Sequence, residues 1–556
     1  MKDVLMADFN KKIILGVIST IVLFSCGKDP FTEYTGETKD QWVAAELIFE
    51  SDKIYPSAFN DVDVDVVFKH VSGTELKMPA FWDGGSTWKV RFAPTTVGIW
   101  TYETICTDES NDKLHGQTGE FKCVRYKGDL DIYKKGFIKT TQGFRYFTYD
   151  NGSPFFYLSD AHMNIVSNDY NNFTTIIDKR VEQGFTGIAS EPLGLKYDLS
   201  NGFTQTDLAG FQELDERFKY VAEKGFVHAN SQLFFVSELG YKRQSYPDEY
   251  LEKLCRYWVA RYAAYPVLWT TAQECDDDYK FPPYSDHDYW DITTNPWKLV
   301  ASYVHQYDPY NHPLTAHMEY IAWTNATTSS FREVEGHDWW GVQWSPKKNG
   351  VMNFAAPQDF WNNGQGKVTV LYEGSFDYLW TNHFGCRVQG WSAFLTGMYG
   401  YGYGAADIWL YNSSYDMDSD TERDGIIITV EQKKTKWPVS LEFESAYQLG
   451  YMREFFLQNH WWELEPRFYD TNWFANAGSY FAVASKGNEI YVAYFYNPDN
   501  NTGTFKQLDN GEYIKQWFNP RTGETGTTEI ATITDGTHNI GPKPDENDWV
   551  LLMKKS

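Results

Sequence analysis

Two glutamates close apolar runs in this sequence. In 264-AYPVLWTTAQECDDDYKF-281, Glu274 follows directly from an apolar, β-rich run, and Asp276, Asp277 and Asp278 come straight after it. In 368-VTVLYEGSF-376, Glu373 closes a second such run. A carboxyl at the end of buried sequence is partly desolvated, which raises its pKa and suits it to general-acid work. A second carboxyl across the scissile bond is what glycoside hydrolysis ordinarily requires. Taken singly, each glutamate could equally be an ion pair on a barrel rim, and the aspartates a solvated acidic loop. A calcium loop wants alternating carboxylates and a glycine at a defined position, which three consecutive aspartates do not offer. Without CxxC spacing or a His/Cys cluster, no metal or cofactor is expected.

The elements that must hold this pair lie between about residues 132 and 466, where apolar strands alternate with longer amphipathic helices. Candidate strands are 154-PFFYLSD-160, 185-FTGIASE-191, 226-FVHANSQLF-234, 266-PVLWTTAQE-274, 313-PLTAHME-319, 337-HDWWGVQ-343, 368-VTVLYEG-374 and 388-VQGWSAF-394, with helices such as 172-NFTTIIDKRVEQG-184 and 248-DEYLEKLCRYWVARYAAY-265 between them. Strand–helix units in this number predict a (β/α)8 TIM barrel, whose active site lies at the C-terminal ends of the strands. Glu274 then ends the fourth strand and Glu373 the seventh. His162 and His317 are pocket candidates from strands one and five, with a hydrogen-bonded core histidine as the competing role. Asp377, four residues after Glu373, is a candidate supporting group. Trp340, Trp344, Trp391 and Trp409 are candidates for stacking on sugar rings, against core packing as the alternative.

Residues 38–128 show short alternating runs with turn signals, such as 64-DVDVVFKHV-72 and 88-WKVRFAP-94, and predict an antiparallel sandwich. Residues 467–556 return to that rhythm, with 489-EIYVAYFYNP-498 and 549-WVLLMKK-555 as strong strands. The expected protein is therefore multidomain, a barrel flanked by two β-sandwiches.

The net charge of −26 argues against a nucleic-acid or anionic-membrane surface. Aromatic residues make up 18% of the 556, which fits sugar-stacking surfaces as well as aromatic β-cores. Lys11 and Lys12 precede an apolar run from Ile13 to Phe24, too short for a stable bilayer span, which ends in 23-LFSC-26. This reads as a lipoprotein signal over residues 1–26 with Cys26 as the lipidated residue, and Met6 as an alternative start. The expected location is the outer membrane, the only membrane attachment being the lipid anchor. Cys106 and Cys123 flank a strand–loop–strand unit and could pair in an oxidising compartment, whereas Cys255, Cys275 and Cys386 show no motif.

These stretches resemble one family, the apiosidase-like glycoside hydrolases. The run 152-GSPFFYLSDAH-162 is similar to that family's strand ending in Gly-Asp-Thr, which implies that Asp160 touches the sugar. The run 179-KRVEQGFTGI-188 resembles its second unit, and 261-RYAAYPVLWTTAQE-274 its fourth, which implies a catalytic Glu274. The run 370-VLYEGSFDY-378 resembles its Asn-Gly-Glu-Pro strand and implies that Glu373 is the second catalytic carboxyl. The most specific likeness is 389-QGWSAFLTGMYGYGYGAADIW-409. In the sixth unit, 340-WGVQWSP-346 keeps Gln343 and Ser345, and in the eighth Tyr401 stands where a histidine is frequent; Gln343 and Tyr401 are expected in the substrate pocket, beside the candidates Trp340, Trp391 and Asp377. The segment 81-FWDGGSTWKVRFAPTTVGIWTY-102 resembles the sandwich that precedes such barrels. The segments 517-WFNPRTGE-524 and 548-DWVLL-552 resemble the sandwich that follows them, which carries a collagen-binding label.

The family's Gly-Gly before a fourth-strand aspartate is replaced here by Ala272-Gln273 before Glu274, and a Gly-His is missing after Ser345. The resemblance therefore implies a retaining glycosidase acting on a complex plant or algal polysaccharide, without implying apiose. It gives Glu274 the acid/base role and Glu373 the nucleophile role, and an ionised Glu373 nearby then predicts the higher pKa for Glu274. The competing readings are a non-catalytic glycan-binding lipoprotein and a matrix-binding protein. The oligomeric state is not legible.

Overall fold

A computed structural model describes residues 34–166, 168–191, 205–231, 248–275, 297–320, 326–344, 353–411, 417–423, 425–496 and 502–556. Cys26, Ser345 and the run Asp276–Asp278 lie outside them.

The centre of the molecule is a nearly closed parallel sheet, the core of a TIM-like barrel. Its strands follow one another around the barrel in chain order: Tyr157–Asn164, Gly187–Glu191, Val227–Ser231, Val267–Thr270, the pair Leu314–Thr315 and His317–Tyr320, Trp339–Gln343, Val368–Glu373 and Gly400–Tyr403. Every pairing is parallel, and the last strand returns to the first with Tyr157 opposite Gly400. The fifth position is the seam. Its first half pairs with the fourth strand and its second half with the sixth, while Leu314 also bridges to His337. Parallel strands covered on both faces read as continuous apolar runs, and Val368–Glu373 is buried along its whole length.

The barrel interior is filled by rings. Tyr157 packs on Trp339 (centroids 6.5 Å apart), Trp339 on Tyr372 (5.9 Å) and Tyr372 on His317 (4.7 Å). Side chains on the opposite faces of the same strands meet the helices outside. The Tyr170–Glu182 helix opens on Asp169, whose carboxylate accepts from the amides of Asn171 and Asn172. It and Asp248–Tyr262 match the expected helices closely.

The run 388–394, expected as the eighth strand, is helical instead, inside His383–Leu395; the strand follows at Gly400–Tyr403. The helix is buried almost all round, between the barrel and the C-terminal sheets, so it shows no polar face to reveal a helical period. Asn382 caps it, its side-chain Oδ1 accepting from Gly385 N at 3.1 Å.

Two sheets make the N-terminal layer: Thr38–Asp40, Thr118–Val124, Gly98–Cys106, Val64–His70 and Glu75–Pro79 in one, and Ala45–Glu50, Thr87–Phe92 and Phe81–Trp82 in the other. Cys106 and Cys123 do not pair. Cys123 stands opposite Gly98, at the far end of the strand that Cys106 terminates, about 26 Å away at the rise of an extended chain. None of the five described cysteines forms a disulfide, and all are buried. A buried charge network fastens these sheets to the barrel helices: Arg91 and Arg261 both reach Asp215 at 2.6 Å, and Arg261 reaches Asp83 at 3.0 Å. At the other end, a six-stranded and a three-stranded sheet form the C-terminal layer. Arg387 grips Asp548 there with two bonds of 2.8 and 3.0 Å, and Tyr494 Oη donates to the same carboxylate.

Candidate active site

The fourth strand ends at Thr270, and the chain then makes a tight turn that carries Glu274. Thr271 N donates to Thr315 O (2.9 Å) and Cys275 N to His317 O (3.0 Å), so both ends of the turn are stitched to the fifth strand. Glu274 itself is left-handed, at φ 51°. A non-glycine residue held there costs about 1–3 kcal/mol, a strain typical of functional positions. Glu373 ends the seventh strand, opposite Gln343 of the sixth, with a register shift just before that pair. The backbone beyond Glu373 is fixed from outside: Gln389 Oε1 accepts from Ser375 N at 2.8 Å.

Two glutamines cross-link the pair. Gln343 Nε2 donates to Glu274 Oε1 at 2.6 Å, and Gln273 Nε2 donates to Glu373 Oε2 at 2.7 Å. The fourth-strand turn thus holds the seventh-strand carboxyl, and the sixth strand holds the fourth-strand carboxyl.

Burial raises the pKa of Glu274, partly offset by the Gln343 bond. Glu373 is also pushed up, first by burial, then by the charges of Glu274 and Glu191, with Arg423 opposing. Glu373 is the more deeply buried of the two and has two carboxyls for neighbours.

His317 is at this mouth, between the Glu274 turn and Tyr372. Burial pulls its pKa down to about 3, and neither ring nitrogen has a hydrogen-bond partner among the described residues. A neutral imidazole with unspent polar atoms inside a barrel is poised for a polar ligand.

Six other expected pocket residues are placed elsewhere, four of them because side chains on a strand alternate between the two faces. Asp160 faces the helices and accepts from Arg180 Nε at 2.8 Å, both groups being buried. His162 packs on Phe173 and meets Asn168 at 3.2 Å on the same outer face. Trp340 donates to Gly364 O at 2.9 Å and packs on Phe360. Tyr401 points toward Cys386 of the 383–395 helix. Trp391, on that helix, stacks on Tyr494 of the C-terminal sheets. Asp377 is wholly buried and accepts from His383 Nδ1 (2.6 Å) and Ser445 Oγ, tying the loop after Glu373 to two helices. Trp409 packs on Phe376 and Trp380, and Trp344 is buried beside the pair, its amide reaching Glu373 O at 3.4 Å.

Three contributors were not singled out from the sequence. Glu191 closes the second strand and is buried, by the same signal that singled out Glu274 and Glu373. Gln273 was read only as a departure from a family pattern. Arg423 lies over the Trp380 ring at 5.4 Å and acts on Glu373 from a short two-stranded ribbon, Thr421–Arg423 with Ile426–Ile428; nothing local in the sequence announces it.

A TIM-like barrel with two coupled carboxyls at the C-terminal ends of its fourth and seventh strands defines the class as a glycosidase-type barrel. The comparisons agree. Residues 141–463 match the model of the apiosidase-like catalytic domain, more than half of the 556-residue chain. The chain belongs to the apiosidase-like family and is a glycoside hydrolase. Residues 38–107 match a domain of unknown function, DUF5060, and residues 475–554 a "putative collagen-binding domain of a collagenase". Among solved structures, a "putative glycoside hydrolase" from Bacteroides vulgatus ATCC 8482 matches with a TM-score of 0.67 at 17% identity, covering 94% of this chain and 100% of that one. A family 5 glycoside hydrolase from the same organism matches with a TM-score of 0.60 at 16% identity, covering 78% and 96%. At these identities the likeness is one of fold. No curated protein matches the chain.

Proposed function

We propose that this chain hydrolyses glycosidic bonds in a complex plant or algal polysaccharide, with Glu274 and Glu373 as its catalytic pair. The observation that carries the reading is the crossed amide–carboxyl arrangement, which holds two carboxyls at one barrel mouth in unequal electrostatic settings. Unequal settings are how one carboxyl of a pair is kept protonated while the other is ionised. The family resemblance gives Glu274 the acid/base role and Glu373 the nucleophile role, in retaining chemistry. The Gln273 donor and the Arg423 charge both favour the ionised Glu373 that a nucleophile needs. His317 and Gln343 line the pocket as sugar-binding groups.

The remaining parts of the reading are the division into sandwich (38–128), (β/α)8 barrel (132–466) and second sandwich (467–556), and export as an outer-membrane lipoprotein through Cys26. A reducing-sugar release screen across plant and algal polysaccharides tests the activity. Glu274→Gln and Glu373→Gln should each lower turnover about 10²–10⁴-fold, the usual contribution of such groups. Wild-type rates in either variant would remove that residue from the pair.

A further inference from the structure

A second cleft, of about 690 Å3, opens where the barrel meets the C-terminal sheets. That volume is within the about 300–1,000 Å3 of ligand-binding clefts. It contains neither Glu274 nor Glu373. Its walls come from the start of the 383–395 helix, the 444–458 helix, the Ile426–Ile428 strand and the Arg521–Thr522 turn. The geometry points to a second carbohydrate site here, one that binds a neutral stretch of the same polysaccharide away from the scissile bond. This rests on the polysaccharide-hydrolase reading.

Three features favour that occupant. The first is the lining chemistry. Tyr378, Phe384, Tyr447 and Tyr451 supply flat apolar faces, and Gln432 and Gln448 supply amides, the mixture that suits the apolar faces and hydroxyls of sugar rings. Phe384 is 38% exposed and Ile427 60%, so apolar surface remains uncovered at the rim.

The second is charge. The cations of the cleft already have partners: Arg387 is held by Asp548, His383 by Asp377, and Arg521 leans on Asp545 and the carbonyl of Asp548. An anionic ligand would have to compete with these carboxylates, whereas a neutral sugar need not.

The third is continuity with the catalytic mouth. The ribbon that contributes Ile427 and Ile428 to the cleft carries Arg423, which acts on Glu373, on its paired strand. His383, on the cleft wall, is bonded to Asp377, four residues beyond Glu373. A chain leaving the active site over this ribbon would enter the cleft.

The test uses the full-length protein in native affinity gels containing xylan, arabinogalactan, rhamnogalacturonan, laminarin or ulvan. Two variants avoid buried positions. Phe384→Ala with Ile427→Ser removes the exposed apolar rim, and Thr522→Trp fills the cleft from the sandwich turn. Wild type and Glu373→Gln should both be retarded by at least one neutral polymer, and both cleft variants should lose most of that retardation. On a hydrolysed polysaccharide their KM should rise about 3–10-fold, with kcat/KM on short 4-nitrophenyl glycosides unchanged. Retardation of the cleft variants equal to wild type, no retardation of wild type in any gel, or retardation only by the acidic polymers would each overturn the proposal. If no polymer is hydrolysed but the gels respond as expected, the activity reading fails and the cleft site stands.

Discussion

Gln273 donates its side-chain amide to Glu373 Oε2 at 2.7 Å, although the two residues are 100 positions apart and follow different barrel strands. A hydrogen bond to a charged group is worth about 1.5–3 kcal/mol, and this one favours the ionised form of Glu373. In Gln273→Ala the Glu373 pKa should rise further. Since the nucleophile must be ionised, the acidic limb of the kcat/KM profile should shift to higher pH, and kcat should fall about 10–100-fold. Gln273→Asn should recover part of both. A lowered rate with an unmoved pH profile would reduce Gln273 to a packing residue.

Glu373 should make the folded protein less stable as pH rises. Its folded pKa is raised above the ordinary value of 4.5, so between those two values the folded state binds more protons than the unfolded one. Its contribution is complete below the unfolded pKa and is lost as pH rises through the folded pKa. Glu373→Gln keeps the shape and removes the charge. Its Tm should equal that of wild type near pH 4 and exceed it at pH 7–8 by about 1–3 °C. Calorimetry in a pH series reads this directly, and a Tm gain that does not change with pH would refute it.

Asp160 should behave as a structural residue. Its partner Arg180 is fully buried, and removing one member of a buried pair costs about 3–5 kcal/mol. Asp160→Ala should lower the Tm by several degrees, with KM per folded molecule within about twofold of wild type. An unchanged Tm with a much larger KM would instead put the carboxylate in contact with sugar.

The stereochemistry of the first-formed product tests the roles within the pair. Retaining enzymes hold their carboxyls about 5–5.5 Å apart and inverting ones about 6.5–9.5 Å apart. Proton NMR of the fresh product should show the anomer of the substrate. The opposite anomer would sink the nucleophile role of Glu373, even with both glutamates essential.

Cys26→Ala should move the protein from the membrane fraction to the soluble fraction, because lipid attachment supplies the anchor in the proposed lipoprotein. An unaltered distribution on fractionation rules out anchoring at that residue.

The sequence by itself determined the parts of the protein that rest on local pattern. Apolar runs alternating with amphipathic helices define a barrel, and alternating runs define the flanking sheets. A carboxyl closing a buried run marks Glu274 and Glu373, and the same signal was present at Glu191. Facing and partnership were decided by the tertiary structure. Asp160, His162, Trp340 and Tyr401 are on the right strands, but one step of the two-residue alternation turns each toward the helices instead of the mouth. The run 388–394 reads as a strand because burial of its helix on every side erases the polar face that would have shown the helical period. The electrostatic setting of the pair depends on burial and on Glu191 and Arg423, residues far from either glutamate in sequence. The crossed glutamines show the same limit. Gln273 and Gln343 look like loop and strand-end polar residues until barrel closure brings the fourth, sixth and seventh strand ends within hydrogen-bond reach.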